Sequence, residues 1–172
     1  ASFESLDLQV DRFIAAQAIM LSLVGVPGIY FHSLFGSRGW TEGVRQTERN
    51  RTINREKCQF DELQSQLADE KALRFKVFSR YSQLLKARSS SPAFHPHGTQ
   101  MVLNLHPSIF AIERISPDEK SRALCLHNVS AGRVTFTTNY KSAYDLLAEQ
   151  EIQISNSTLE PYKVLWSIPN SV

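Results

Sequence analysis

Cysteine is scarce: the 172 residues hold Cys58 and Cys125 and no other. That is too few for a disulfide framework, and the spacing suits no zinc site. An excess of one charge is lacking as well. Nineteen Lys and Arg stand against 17 Asp and Glu, a formal net charge of +2. A strongly basic nucleic-acid binder is therefore not expected. No cationic segment leads into an apolar stretch with a cleavage site, so no secretion signal is read, and reduced thiols point to the cytoplasm. A Gly-rich phosphate loop, a Gly-x-Ser-x-Gly elbow and a zinc signature are all missing. Long hydrophobic runs are nearly absent too. Residues 13–37 carry no formal charge, but Gly25-Val26-Pro27-Gly28 interrupts them and Gln17, Ser22, His32 and Ser33 lie among them. Proline removes a donor and disfavours helix at the residue before it, whereas a span needs about 20 apolar residues in a row. No membrane partner is expected.

What is present reads as an α+β protein. With 42% hydrophobic and 21% charged residues the chain has the composition of a globular protein. Residues 6–24 keep helical spacing through Leu6, Val10, Phe13, Ile14, Ile19, Met20 and Leu23. Beyond Ala15 the helix is apolar nearly all round, which predicts protein contact on every side. Ile29-Tyr30-Phe31-His32 has no polar alternation and is predicted as a strand buried on both faces, as in a parallel sheet. A lone parallel strand has no ladder partners, so the chain reads as a piece of something larger. Residues 36–57 form a long charged loop with room for a helical turn. Helical spacing returns over 60–88, split near Ala68 with Asp69 as N-cap of the second helix. Ser89-Ser90-Ser91-Pro92 ends it. Beyond that point the period is two, in runs around 101–103, 109–112, 123–126, 134–136, 152–154 and 164–166, with a turn at Asn156. This predicts a small antiparallel sandwich.

The densest polar constellation is Arg49-Asn50-Arg51-Thr52-Ile53-Asn54-Arg55-Glu56. Arginine forks suit phosphate, carboxylate or sugar hydroxyls, and asparagine both donates and accepts. The alternative is a solvated charged loop. Glu42, Glu48 and Glu56 dilute the patch and no aromatic runs through it, against nucleic acid. His95-Pro96-His97 lacks a third ligand and reads as a turn. His32, after the buried strand, lines a pocket or is a hydrogen-bonded core histidine. Asn50, Asn128 and Asn156 head glycosylation acceptor triplets, treated as chance without a secretion signal. The carboxylates fall in helix flanks, turns and the charged loop, so no catalytic pair is read.

Val24-Gly25-Val26-Pro27-Gly28-Ile29-Tyr30-Phe31 resembles the last barrel-strand motif of the alpha-amylase superfamily. The acidic residues usual after that strand are replaced by His32-Ser33-Leu34-Phe35-Gly36. That departure, with Arg51-Thr52-Ile53-Asn54-Arg55, is similar to the sucrose phosphorylase branch. The likeness continues through 70–88, Pro92-Ala93-Phe94-His95-Pro96, Cys125–Ser130 and Pro161–Trp166. It implies a C-terminal fragment of a (β/α)8 barrel followed by an antiparallel β-sandwich. Residues 1–90 would hold the last helix, eighth strand, long loop and closing helices, and 91–172 the β domain. It implies the C-terminal part of a retaining α-glucoside-active enzyme, a glycosyl phosphorylase or a hydrolase, with its catalytic carboxylates upstream of Ala1. This chain alone would be inactive and would self-associate through exposed apolar surface. Substrate binding falls to Arg51, Asn54, Arg55 and His32. No cofactor or metal is implied, and phosphate is the co-substrate of a phosphorylase. An α-glucoside or sugar phosphate would be the partner. Thr52 stands where sucrose phosphorylases usually have Asp, and loss of that negative charge favours a more anionic acceptor, such as a sugar phosphate or glycerate. The rival reading is a non-catalytic carbohydrate-binding or structural β domain.

Overall fold

The structure, a computed structural model, describes residues 4–170. Contacts divide the chain into two compact units, 28–81 and the remainder, the residues up to Pro27 with those from Ser82 onward. The divisions thus fall at 27/28 and 81/82, whereas the sequence places one boundary at 90/91.

The unit of residues 28–81 is helical. It contains α2 (Phe31–Leu34), α3 (Thr41–Thr47), a 3-10 turn (Asn50–Asn54), α4 (Phe60–Ala68) and the start of α5 (Leu73–Ser90). The expected strand at 28–32 is not there. Tyr30 has extended backbone, φ −85° and ψ 136°, and the chain then turns into α2. A parallel strand gains its ladder from neighbours far away in sequence, and nothing in these residues supplies one. The expected long loop is more ordered than the sequence implies. Trp40 N donates to Ile53 O at 2.7 Å and ties α3 to the 3-10 turn. Gly36 has φ +60°, and a Cβ there would sit 2.7 Å from Val77 Cγ2, so glycine is needed twice over. The Phe35 and Phe78 rings stack at 5.2 Å. Asp69 is not an N-cap. Its carboxylate accepts from Lys71 N at 2.9 Å in the turn ahead of α5, which begins at Leu73.

The other unit is a sheet with helical cover. Its α1 (Leu6–Ser22) starts at Ser5, whose hydroxyl caps Leu8 N at 3.3 Å. A second 3-10 turn, Pro92–Phe94, leads into eight strands. These are β1 (Thr99–Leu103), β2 (Ile109–Ile115), β3 (Arg122–Asn128), β4 (Val134–Thr137), β5 (Ser142–Asp145), β6 (Gln150–Gln153), β7 (Asn156–Leu159) and β8 (Val164–Pro169). One antiparallel sheet has the order β1-β2-β3-β8-β5-β6, and β4 pairs with β7 in a second. Ala111, Leu124, Leu126, Phe136, Ile154 and Leu165 belong to the core that the two sheets share. The opposite face of the large sheet is covered by α1 and the Pro92–Phe94 turn. Both faces of its centre are therefore buried, which explains why β2 and β3 read as near-continuous apolar runs. Burial of α1 is one-sided rather than all round: Val10, Ile14, Ala18 and Leu21 are buried, while Phe13, Ile19 and Met20 are only half-buried.

Candidate functional site

All four candidate residues lie in the 28–81 unit, and local geometry links three of them. Tyr30 connects two that are remote in sequence: its hydroxyl donates to Asn54 O, and its ring lies 5.4 Å from the His32 ring. His32 is half-buried, and its Nδ1 lies 3.0 Å from Ser37 Oγ. Arg51 and Asn54 belong to the Asn50–Asn54 turn. A 3-10 helix eclipses positions three apart, so these two share a face. Arg55 does not join them, because it caps the turn with φ −130° and ψ 27°. Arg51, Asn54 and Arg55 are exposed. Among the described residues neither Arg51 nor Arg55 has a carboxylate within salt-bridge distance, so the loop is not held by an Arg55 pair with Glu48 or Glu56. Thr52 Oγ1 is 2.8 Å from Thr47 Oγ1, which places a neutral hydroxyl pair where the resemblance leads one to expect a carboxylate.

The sheet unit holds buried polar groups that sequence spacing does not single out. Arg114 is fully buried and donates to the carbonyls of Ser22 (2.8 Å), His95 (3.0 Å) and Thr99 (3.3 Å). Arg88 donates to the carbonyls of Leu21 and of Gly25, the latter at 2.6 Å. Together they satisfy carbonyls that the end of α1 leaves open. Both guanidinium groups lie over Phe94, at 5.7 and 5.8 Å. Glu113, read as a flank or turn carboxylate, is instead a buried residue inside β2. It accepts from the Tyr140 hydroxyl at 2.9 Å and pairs with Arg122 at 3.3 Å, so both its oxygens are engaged. Burial, then the Glu113 carboxylate, raises the Tyr140 pKa.

His127 is fully buried. Trp166 Nε1 donates to its Nε2 at 3.1 Å, and its Nδ1 lies 3.0 Å from Phe110 O. An Nε2 that accepts leaves the proton on Nδ1, where Phe110 O receives it. Burial pushes the His127 pKa down to about 4. Burial raises the pKa of the Cys125 thiol, so it is an inert core group. Asn128 cannot be a glycosylation acceptor in the folded chain, since its Nδ2 is buried and donates to the carbonyls of Gly132, Leu159 and Glu160. His95 Nδ1 accepts from His97 N at 3.1 Å, a turn as expected. Among the described residues no group of three His, Cys, Asp or Glu is placed to hold a metal, and no helix is long and apolar enough to cross a membrane.

The fold is shared with alpha-amylase-family enzymes. The trehalulose synthase MutB of Pseudomonas mesoacidophila superimposes with a TM-score of 0.70 at 14% identity, over 93% of this chain and 38% of its own. Beyond the fold, the chain is similar in sequence to glucosylglycerate phosphorylases. A glucosylglycerate phosphorylase of Spirochaeta thermophila is 45% identical over 155 residues, 88% of this chain and 26% of that protein. One of Allomeiothermus silvanus is 35% identical over 169 residues, 97% of this chain and 28% of that protein. The chain therefore spans about a quarter of the length of the curated relatives it matches. No protein-family model matches the chain.

Proposed function

We propose that these residues are the C-terminal part of a retaining α-glucoside phosphorylase that cleaves an α-glucosylglycerate. The observation that carries this reading is identity of 35–45% along most of the chain with glucosylglycerate phosphorylases. In the longer enzyme Gly28–Tyr30 pairs into the barrel as its last strand, and the segment after it reaches the catalytic mouth. A carboxylate from an earlier strand attacks the anomeric carbon as the bond to the glycerate oxygen breaks. A second carboxyl group gives that oxygen its proton. Phosphate then attacks the glucosyl-enzyme, the ester bond breaks, glucose 1-phosphate leaves, and the proton returns to the acid. None of these carboxylates is assigned to the present residues. The chain contributes the acceptor side: Arg51 and Asn54, on one face and without a carboxylate competitor, bind the glycerate carboxylate. The neutral Thr52 spares that anion a like-charge repulsion.

Full-length protein given glucosylglycerate and phosphate should release glucose 1-phosphate, with release of free glucose as the mark of a hydrolase. The 172-residue chain alone should turn over no α-glucoside. It should also sediment as oligomers, because Val26 is 85% exposed and Ile29, Tyr30 and Phe31 are open to solvent as well. No activity of the full-length protein on any α-glucoside, with or without phosphate, would leave a non-catalytic carbohydrate-binding domain as the better reading. Arg51→Ala in the full-length enzyme should weaken glycerate use in the synthetic direction by about 1–3 kcal/mol, the scale of a charge-assisted hydrogen bond. Unchanged kinetics would make the turn purely structural.

A further inference from the structure

We propose that Arg74 and Ser37 are positioning residues that hold His32 in the tautomer protonated on Nε2, so that this N–H is offered to a ligand oxyanion. The proposal rests on the reading of His32 as part of the substrate site. Arginine can only donate, and Arg74 Nη1 lies 2.8 Å from Ser37 Oγ. The serine oxygen is thus an acceptor toward Arg74, and its own proton needs another acceptor. Among the described residues that acceptor is His32 Nδ1 at 3.0 Å. Were Nδ1 protonated, Ser37 Oγ would face two donors, and its hydroxyl proton would have nowhere to go in a half-buried place. Nδ1 therefore accepts and Nε2 carries the hydrogen.

The second observation concerns Nε2 itself. Among the described residues nothing is hydrogen-bonded to it, although the ring is half-buried and flanked by aromatic rings. Tyr30 and Phe31 each approach to 5.4 Å, the latter edge-on. A donor with a fixed tautomer and no protein partner matches an oxygen acceptor. Carboxylate and phosphate share that chemistry, and both belong to the proposed reaction. The relay joins His32 to Arg74 through the one hydroxyl of Ser37, so a single atom controls it.

The test uses full-length protein with 15N-labelled histidine, the His32 signals being assigned by His32→Gln. Long-range proton–nitrogen spectra should show Nδ1 bare and Nε2 protonated in the wild type and in Ser37→Thr, which keeps the hydroxyl. Ser37→Ala should mix the tautomers. A wild-type His32 protonated on Nδ1 overturns the proposal. Glycerate and inorganic phosphate, added separately, identify the oxyanion by which of them moves the Nε2–H signal, and no movement with either also overturns it. Ser37→Ala should raise KM for that oxyanion about three- to tenfold, the worth of one hydrogen bond, with kcat unchanged and Ser37→Thr restoring it. Absence of phosphorolysis in the wild type would instead refute the proposed function, and the tautomer reading would stand or fall separately.

Discussion

Replacing Arg114 with methionine should cost the sheet unit about 3–5 kcal/mol, measured by urea unfolding. Arg114 has no solvent exposure and satisfies three backbone carbonyls, those of Ser22, His95 and Thr99. Methionine follows much of the same path but donates nothing. Each abandoned buried carbonyl costs about 1–3 kcal/mol. Part of that loss is offset, because the folded chain no longer has to bury a cation, and buried charges are expensive to desolvate. Burial, and next the nearby Arg88 charge, lower the Arg114 pKa, which marks the same tension. The balance still favours the bonds, since three unpaired acceptors outweigh one relieved cation. Ser22 ends α1 and Thr99 begins β1, so the loss should appear as release of the helix from the sheet. A cost below about 1 kcal/mol would mean that the burial penalty cancels the three bonds.

Acidification from pH 7 to pH 4 should remove about 3 kcal/mol of stability through His127 alone. Its folded pKa, about 4, lies below the ordinary 6.5. In that interval the unfolded chain binds a proton that the folded chain does not. Stability is therefore fully present above about pH 6.5 and falls as the pH drops toward 4. The structural cause is specific. Trp166 Nε1 already donates to Nε2, so a second proton on the ring would set N–H against N–H in a site without water access. Carboxylates with lowered pKa, Glu149 and Glu160 among them, add their own acid dependence, so the comparison must be with His127→Gln. That variant will be less stable at pH 7, yet its stability should fall less steeply on acidification. Parallel pH profiles for the two proteins would show that His127 is not the titrating group.

Legibility followed how much of the physics was local. The helix at Leu6–Ser22 and the strands at Ile109–Ile115 and Arg122–Asn128 announce themselves, because burial forces apolar residues into their characteristic periods. Strands β5, Ser-Ala-Tyr-Asp, and β7, Asn-Ser-Thr-Leu, do not. Ala143 is the one buried residue of the first and Leu159 of the second, and neither makes a pattern. Asn156, a turn residue by propensity, is drawn into β7 by pairing with Thr137. In the candidate site the arginines and Asn54 were visible as composition. The part played by Ser37 and Arg74 was not, because no spacing rule relates residues 32, 37 and 74. Tyr30 was likewise read only as part of a strand, and its bond to Asn54 O is a long-range event.

The sequence by itself determined the three longer helices and most strands, the break at Pro27, the end of the long helix at Ser90 and the residues of the Arg-Asn cluster. Those features depend on capping, proline geometry and hydrophobic period, which act over a few residues. Only the tertiary structure decided that Gly28–Tyr30 find no strand partner among the described residues, that Glu113 lies buried between Tyr140 and Arg122, and that Arg114 and His127 are closed into the core. A strand requires a neighbour, and a buried charge or imidazole requires partners brought from distant positions. No local window contains either, so those outcomes belong to the folded chain.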